Sequence, residues 1–176
     1  MRPMKPDPGI RVQTVRIPTE NGGVSALLLS PLTAPKNAAG ILWLHGGGYI
    51  AGMKEMVHAS RAVDLVKKFG VAVLSPGYRL ALKAPYPAAI DDCYAALLYL
   101  KAHAAAFGVR SDQLMVGGES AGVPAELDVY HSDMHAFDMM RPDDVLSIQA
   151  AEAFNTRFAD AQARFFTPQH EIQEEP

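Results

Sequence analysis

The sequence predicts an α/β fold in which an N-terminal antiparallel hairpin is followed by parallel strands with helices on both faces. Three observations carry this expectation: two strand-like segments flanking a glycine turn, three short apolar runs, and helical periodicity between those runs. Residues 10–17 and 24–30 read as strands, and Glu20-Asn21-Gly22-Gly23 between them is a turn signal, so the pair is expected to form a hairpin. Residues 40–44 (Gly-Ile-Leu-Trp-Leu), 71–75 (Val-Ala-Val-Leu-Ser) and 114–117 (Leu-Met-Val-Gly) lack apolar/polar alternation, as suits parallel strands covered on both faces. Ala62, Leu65, Val66 and Phe69 fall at i, i+3, i+4, i+7 and predict a helix between the first two runs. Ile90, Tyr94, Leu97 and Lys101/Ala104 continue that spacing through 88–106 and predict the next. Residues 143–166 place Phe154, Phe158, Ala161 and Phe165 on one face of a final amphipathic helix, and 169–176 are polar and acidic, as in a frayed end.

Composition bounds the function classes. A length of 176 residues suits one domain spanning 1–176, and 49% hydrophobic with 20% charged residues excludes wholesale disorder. A net charge of −3 gives no electrostatic case for nucleic acid or an anionic membrane. Cys93 is the sole cysteine, so an intrachain disulfide is excluded. The N-terminal Met1-Arg2-Pro3-Met4 stretch begins no apolar signal core, and no run approaches a membrane span, so a cytoplasmic protein is expected.

Two motifs carry chemistry. Gly118-Glu119-Ser120-Ala121-Gly122 follows the apolar run 114–117, the strand-end context of a G-x-S-x-G nucleophile elbow. Such an elbow presents the Ser120 hydroxyl on a sharp turn, and flanking glycines let neighbouring elements approach. The same five residues also suit a plain strand-end turn with a solvated serine. His45-Gly46-Gly47-Gly48-Tyr49 follows the run 40–44, and its consecutive glycines expose backbone N–H groups to a substrate oxygen. With the N–H of Ala121, those of Gly46 and Gly47 form a candidate oxyanion hole. A flexible turn, or a phosphate cradle lacking the Lys and Ser/Thr of a P-loop, is the competing reading. His45 is read as holding the loop rather than acting as a base. His58, His103 and His170 lack metal-ligand spacing, so no metal site is expected.

A third segment, Tyr78-Arg79-Leu80-Ala81 followed by Pro85-Tyr86-Pro87-Ala88-Ala89 and Asp91-Asp92-Cys93-Tyr94-Ala95-Ala96, completes a pattern. Together these motifs resemble the bacterial hormone-sensitive-lipase-like esterases of the α/β-hydrolase superfamily, over about residues 20 to 122. Leu82 and Lys83 depart from the Pro and Glu common in that family, in a segment that shapes scaffold and pocket edge. The similarity resumes over residues 123–138, which resemble the family's last sheet strand and catalytic-histidine loop. The resemblance implies a serine carboxylic-ester hydrolase acting on short-chain acyl esters through an acyl-Ser120 intermediate, with His135 as general base and no cofactor. Tyr49 and Tyr86 are expected at the rim of an apolar pocket, although both residue types often serve only packing. His131 matches no functional position.

The family order Ser…Asp/Glu…His is incomplete here. Only 14 residues separate Ser120 from His135, whereas one strand-helix-strand unit needs roughly 30 or more. Pro124 and the alternating residues 126–130 favour a strand where the elbow helix should follow. The expectation is a truncated α/β-hydrolase, with an internal deletion on the order of 60–100 residues joined near Ala121-Gly122-Val123. Strand 126–130 would then pair antiparallel as a hairpin, swap onto another chain, or leave the sheet. Asp133 and Asp138, then Asp128, Asp143 and Asp144, are the candidate acids, each equally readable as a solvated surface residue. The alternative function is a catalytically silent fragment acting as an association module, including homo-oligomer formation through an exposed sheet edge.

Overall fold

A computed structural model of the chain describes residues 4–20, 22–119 and 137–165. Its element order is β1 (Ile10–Ile17), β2 (Val24–Pro31), β3 (Ala38–Leu44), α1 (Ala62–Phe69), β4 (Ala72–Pro76), α2 (Ala88–Ala102), β5 (Val109–Gly118), α3 (Phe137–Met140) and α4 (Val145–Phe165), with 3₁₀ turns at Lys54–Ala59 and Ala105–Phe107. The strands form one sheet in the order β1-β2-β4-β3-β5.

The expected hairpin forms in full register, from Ile10 opposite Pro31 to Ile17 opposite Val24. Gly22 and Gly23 take positive φ in its turn, where the Thr19 hydroxyl accepts from the Gly23 N–H at 3.0 Å. β2 continues antiparallel onto β4, while β3 runs parallel to both β4 and β5. The two parallel crossovers, β3-α1-β4 and β4-α2-β5, place their helices on opposite faces.

Alternation sorts the core between those faces. Leu27, Leu29, Ile41, Trp43, Val71 and Val73 meet α1 and α4 on one side. Ala26, Leu28, Leu42, Ala72 and Leu74 meet α2 on the other. Helix α1 buries Ala62, Leu65 and Val66 with Phe69 packed alongside, as its periodicity predicts, and ends where Gly70 adopts φ 67. Helix α4 lays Phe154 edge-on to Trp43 (6.4 Å between ring centres) and Phe158 against Phe69 (4.9 Å). The Phe165 side chain is outside the described set.

Two expectations need correction. The helix expected through 88–106 stops at Ala102 and yields to the 3₁₀ turn, and its buried face is not the one containing Ile90 and Tyr94. Ala88, Asp92, Ala96 and Leu100 face the sheet, while Ile90 and Tyr94 are 51% and 60% exposed. The helix carries apolar residues on most of its circumference, so the row that docks is decided by fit. Leu100 packs over Gly40 of β3, where a Cβ would lie 2.7 Å from Val109 and 2.8 Å from Leu114. Asp92 can be buried because Arg79 neutralises it, with 2.9 Å contacts from Nε and Nη2 and a 2.8 Å bond from the Arg79 backbone N–H. The second correction concerns β5, which begins at Val109, five residues before the apolar run 114–117. Arg110 and Asp112 lie on one face of that strand and pair at 2.7 Å, so a polar stretch is extended without being apolar.

The strand expected at 126–130 and its three pairing options fall outside the described residues. Among the described residues, no helix is long and apolar enough to cross a membrane.

Candidate active site

The site is built where β3 and β5 end together. Leu44 stands opposite Gly118 in the parallel register, and the Leu44 carbonyl accepts from the Glu119 N–H at 3.2 Å. The chain therefore enters Gly118-Glu119-Ser120-Ala121-Gly122 beside the glycine turn that leaves β3. Gly117 fits against Trp43, where a Cβ would sit 3.1 Å from the indole ring.

His45 opens the glycine turn from a buried position, 2% exposed. Its ring stacks on Tyr78 at 4.0 Å, and its carbonyl accepts the Tyr78 hydroxyl hydrogen at 2.6 Å. Nδ1 lies 2.9 Å from the Gly46 carbonyl, which can only accept, so Nδ1 carries the proton. Burial lowers the imidazole pKa, outweighing the Gly46 hydrogen bond and the charge of Glu55, and keeps the ring neutral. Burial likewise pushes the Tyr78 phenol up to about 12, so it remains a donor. This arrangement agrees with a loop-holding His45.

Gly47 takes φ 121, and its carbonyl accepts from both Ile50 and Ala51 N–H groups at 3.1 and 3.0 Å. A Cβ there would fall 2.1 Å from the Ala51 carbonyl oxygen, so only glycine fits this turn. Among the described residues, no backbone carbonyl accepts from the Gly46 or Gly47 N–H. Among the described residues, these two donors at the C-terminal end of β3 thus have no backbone acceptor, next to the entry into the G-x-S-x-G sequence. Ala121, Ser120 and His135 lie outside the described residues.

Of the expected pocket residues, Tyr49 joins Leu44, Tyr78, Ala89, Ile90 and Cys93 around a cavity of about 160 Å³. Its carbonyl accepts from the Ala81 N–H at 2.8 Å, which ties the glycine turn to the Tyr-Arg-Leu-Ala segment. Tyr86 is 83% exposed and not part of that wall. Among the candidate acids, Asp138 meets Arg61 Nη2 at 3.3 Å, and Asp144 accepts from the Leu146 N–H at 3.3 Å at the start of α4. Asp143 is exposed, and Asp128 and Asp133 lie outside the described residues. Among the described residues, no group of three or more His, Cys, Asp and Glu side chains could hold a metal.

Arg61 is a residue that sequence reasoning missed. Its N–H reaches the Glu119 carboxylate at 3.4 Å, and its guanidinium contacts Asp138 and the Ser147 carbonyl, each at 3.3 Å. It thereby links the end of β5 to α3 and α4 across a wide sequence separation, which no local spacing reveals.

Comparison with known proteins agrees with this architecture. A family model for the alpha/beta hydrolase fold matches residues 41–163. The chain is 32% identical to hormone-sensitive lipase of Bos taurus over 96 residues, covering 54% of the chain and 13% of that protein. It is 33% identical to an acetyl esterase of Salmonella agona over 116 residues, covering 65% of the chain and 35% of that enzyme. Among solved structures, a thermostable carboxylesterase cloned from a metagenomic library aligns with TM-score 0.61 and 31% identity, over 68% of this chain and 40% of that one. A bacterial heroin esterase aligns with TM-score 0.59 and 31% identity, over 63% and 35%. The chain thus spans about a third of the acetyl esterase and far less of the lipase. With the sheet order, the glycine turn at the end of β3 and the elbow sequence at the end of β5 all in agreement, the chain belongs to the α/β-hydrolase fold family, in its hormone-sensitive-lipase-like esterase branch.

Proposed function

We propose that the chain is a serine carboxylic-ester hydrolase of short-chain acyl esters. The observation that supports this reading is the Glu119 N–H bond to the Leu44 carbonyl, which sets Gly118 and Glu119, the first two residues of the G-x-S-x-G sequence, beside the end of β3 where the glycine turn begins. In the proposed reaction, Ser120 Oγ attacks the ester carbonyl while His135 takes its proton. The carbonyl oxygen gains negative charge against the N–H groups of Gly46, Gly47 and Ala121. Collapse expels the alkoxide, which receives the proton from His135, and leaves acyl-Ser120. Water, deprotonated by His135, then releases the carboxylic acid and restores the serine.

The short Ser120–His135 spacing supports an internally deleted single domain, and with it a weakened triad. Asp138, the described candidate nearest His135 in sequence, is engaged by Arg61. Losing the role of the acid in a serine protease costs about 10⁴ in kcat, with the residue of catalysis due to the oxyanion hole and binding. Turnover is therefore expected to be slow. The same Asp138 engagement favours a second reading, a catalytically silent chain that associates through its sheet edge. Fluorophosphonate labelling separates the two: the hydrolase reading expects one adduct, on Ser120, absent in Ser120→Ala. An unlabelled wild-type chain supports the silent reading.

A further inference from the structure

Helix α2 is apolar on most of its circumference, as suits a helix covered on both sides, yet the sheet covers only one of them. Its row Ala88, Asp92, Ala96 and Leu100 is buried, and among the described residues it packs chiefly on β1, β3, β4 and β5. The opposite face of the sheet, by contrast, carries two helices, α1 and α4. The outer side of α2 presents Asp91, Tyr94, Leu98 and Lys101, at i, i+3, i+7 and i+10, and all four are exposed. That spacing draws one stripe along the helix. Tyr94 and Leu98 form its apolar centre, with half-exposed Ile90 beside them. Asp91 and Lys101 close its two ends with opposite charges, and among the described residues neither makes an ion pair.

The stripe is self-complementary. Positions 91 and 101 lie equally far from 96, and so do 94 and 98. A second copy turned antiparallel about Ala96 therefore sets Asp91 against Lys101 and Tyr94 against Leu98, each contact made twice. A parallel copy would set Asp91 against Asp91 and Lys101 against Lys101, and these like charges oppose it. We propose that the outer face of α2 is the interface of a two-fold homodimer in which the two α2 helices pack antiparallel. This face is distinct from the sheet edge at β5, and the proposal holds whether or not the chain hydrolyses esters. A 15-residue helix is only about 22 Å long. The interface thus lies at the small end of the usual range, and the dimer is expected to be weak, with a Kd in the micromolar range or above.

Sedimentation velocity from micromolar to millimolar concentration tests the interface, with Trp43 fluorescence to confirm that each variant is folded. The wild-type chain should pass from monomer to dimer as its concentration rises. Asp91→Lys and Lys101→Asp each place like charges across both outer contacts, and each should weaken self-association at least about tenfold. Mixed in equal amounts, the two variants should pair with each other about as well as the wild-type chain pairs with itself, because each then offers the other opposite charges. Tyr94→Ser, at an exposed position, should weaken the dimer without altering its charge. A wild-type chain that stays monomeric throughout overturns the proposal. So does a dimer indifferent to both charge reversals, which would place the contact on another surface, or a pair of folded variants that fail to associate when mixed. Should a charge reversal fail to fold, Tyr94→Ser decides alone, and a dimer that it leaves unweakened overturns the proposal.

Discussion

The Tyr78 hydroxyl donates to the His45 carbonyl at 2.6 Å while the two rings stack at 4.0 Å. One side chain thus fixes both the backbone and the ring of the residue that starts the glycine turn. Removing the hydroxyl leaves a carbonyl with a lost partner beneath the turn. A buried group left unsatisfied costs about 1–3 kcal/mol. Tyr78→Phe is therefore expected to lower stability by about that amount, read from urea unfolding followed by the fluorescence of Trp43. An unchanged midpoint would show that the contact carries no such weight.

The buried histidines give stability a pH dependence of defined sign. Burial lowers the pKa of both His45 and His58 from the ordinary 6.5. Between each folded value and 6.5 the unfolded chain binds more protons than the native one, so stability falls as the pH drops below about 6.5. It is fully present above that value. Glu55, held low chiefly by its hydrogen bond from Lys54, acts in the same sense only below its ordinary 4.5. Thermal midpoints should thus begin to fall near pH 6, and His58→Gln should flatten the slope between pH 6.5 and 5. A slope unchanged by that substitution would assign the effect elsewhere.

Two adjacent glycines make a matched pair for testing the oxyanion role. At Gly47 a methyl would collide with the Ala51 carbonyl oxygen, whereas at Gly48 nothing lies within 4 Å of one, despite φ 59. Gly47→Ala must rearrange the turn and displace its N–H. Loss of one oxyanion donor lowers kcat by about 10²–10³, and Gly47→Ala should approach that range on p-nitrophenyl butyrate. Gly48→Ala should lose less than tenfold, since it strains the backbone without a clash. Equal losses would argue against the assignment of Gly47.

Helix α4 is an integral part of the core. Phe158 is 9% exposed and packs on Phe69 at the end of α1, distant in sequence. Phe158→Ala should cost about 3 kcal/mol, the low end for a buried aromatic, with Leu65→Ala close behind. Near-neutral values in chemical denaturation would mean that α4 docks only weakly.

Much of this architecture is legible in the sequence. The Glu-Asn-Gly-Gly turn, three apolar runs and the spacing of Ala62, Leu65, Val66 and Phe69 give the hairpin, the parallel strands and α1. The docked face of α2 is not legible, because Ile90 and Tyr94 match the apolar period as well as Ala96 and Leu100 do. What decides between them is the room above Gly40 and the partnership of Asp92 with Arg79, both non-local. The start of β5 is hidden for a related reason: Arg110 and Asp112 satisfy each other, so the strand needs no apolar signature there. The glycine turn and the elbow strand were readable as motifs, and the structure adds their adjacency through Leu44 and Glu119. Arg61 and the Ile90–Cys93 wall carry no local pattern at all.

The most direct test of the account is hydrolysis of p-nitrophenyl butyrate by the wild-type chain beside Ser120→Ala. The account predicts slow turnover, on the order of 10⁴ below a triad-intact serine hydrolase, that disappears with the serine hydroxyl. Equal rates in the two proteins would contradict it.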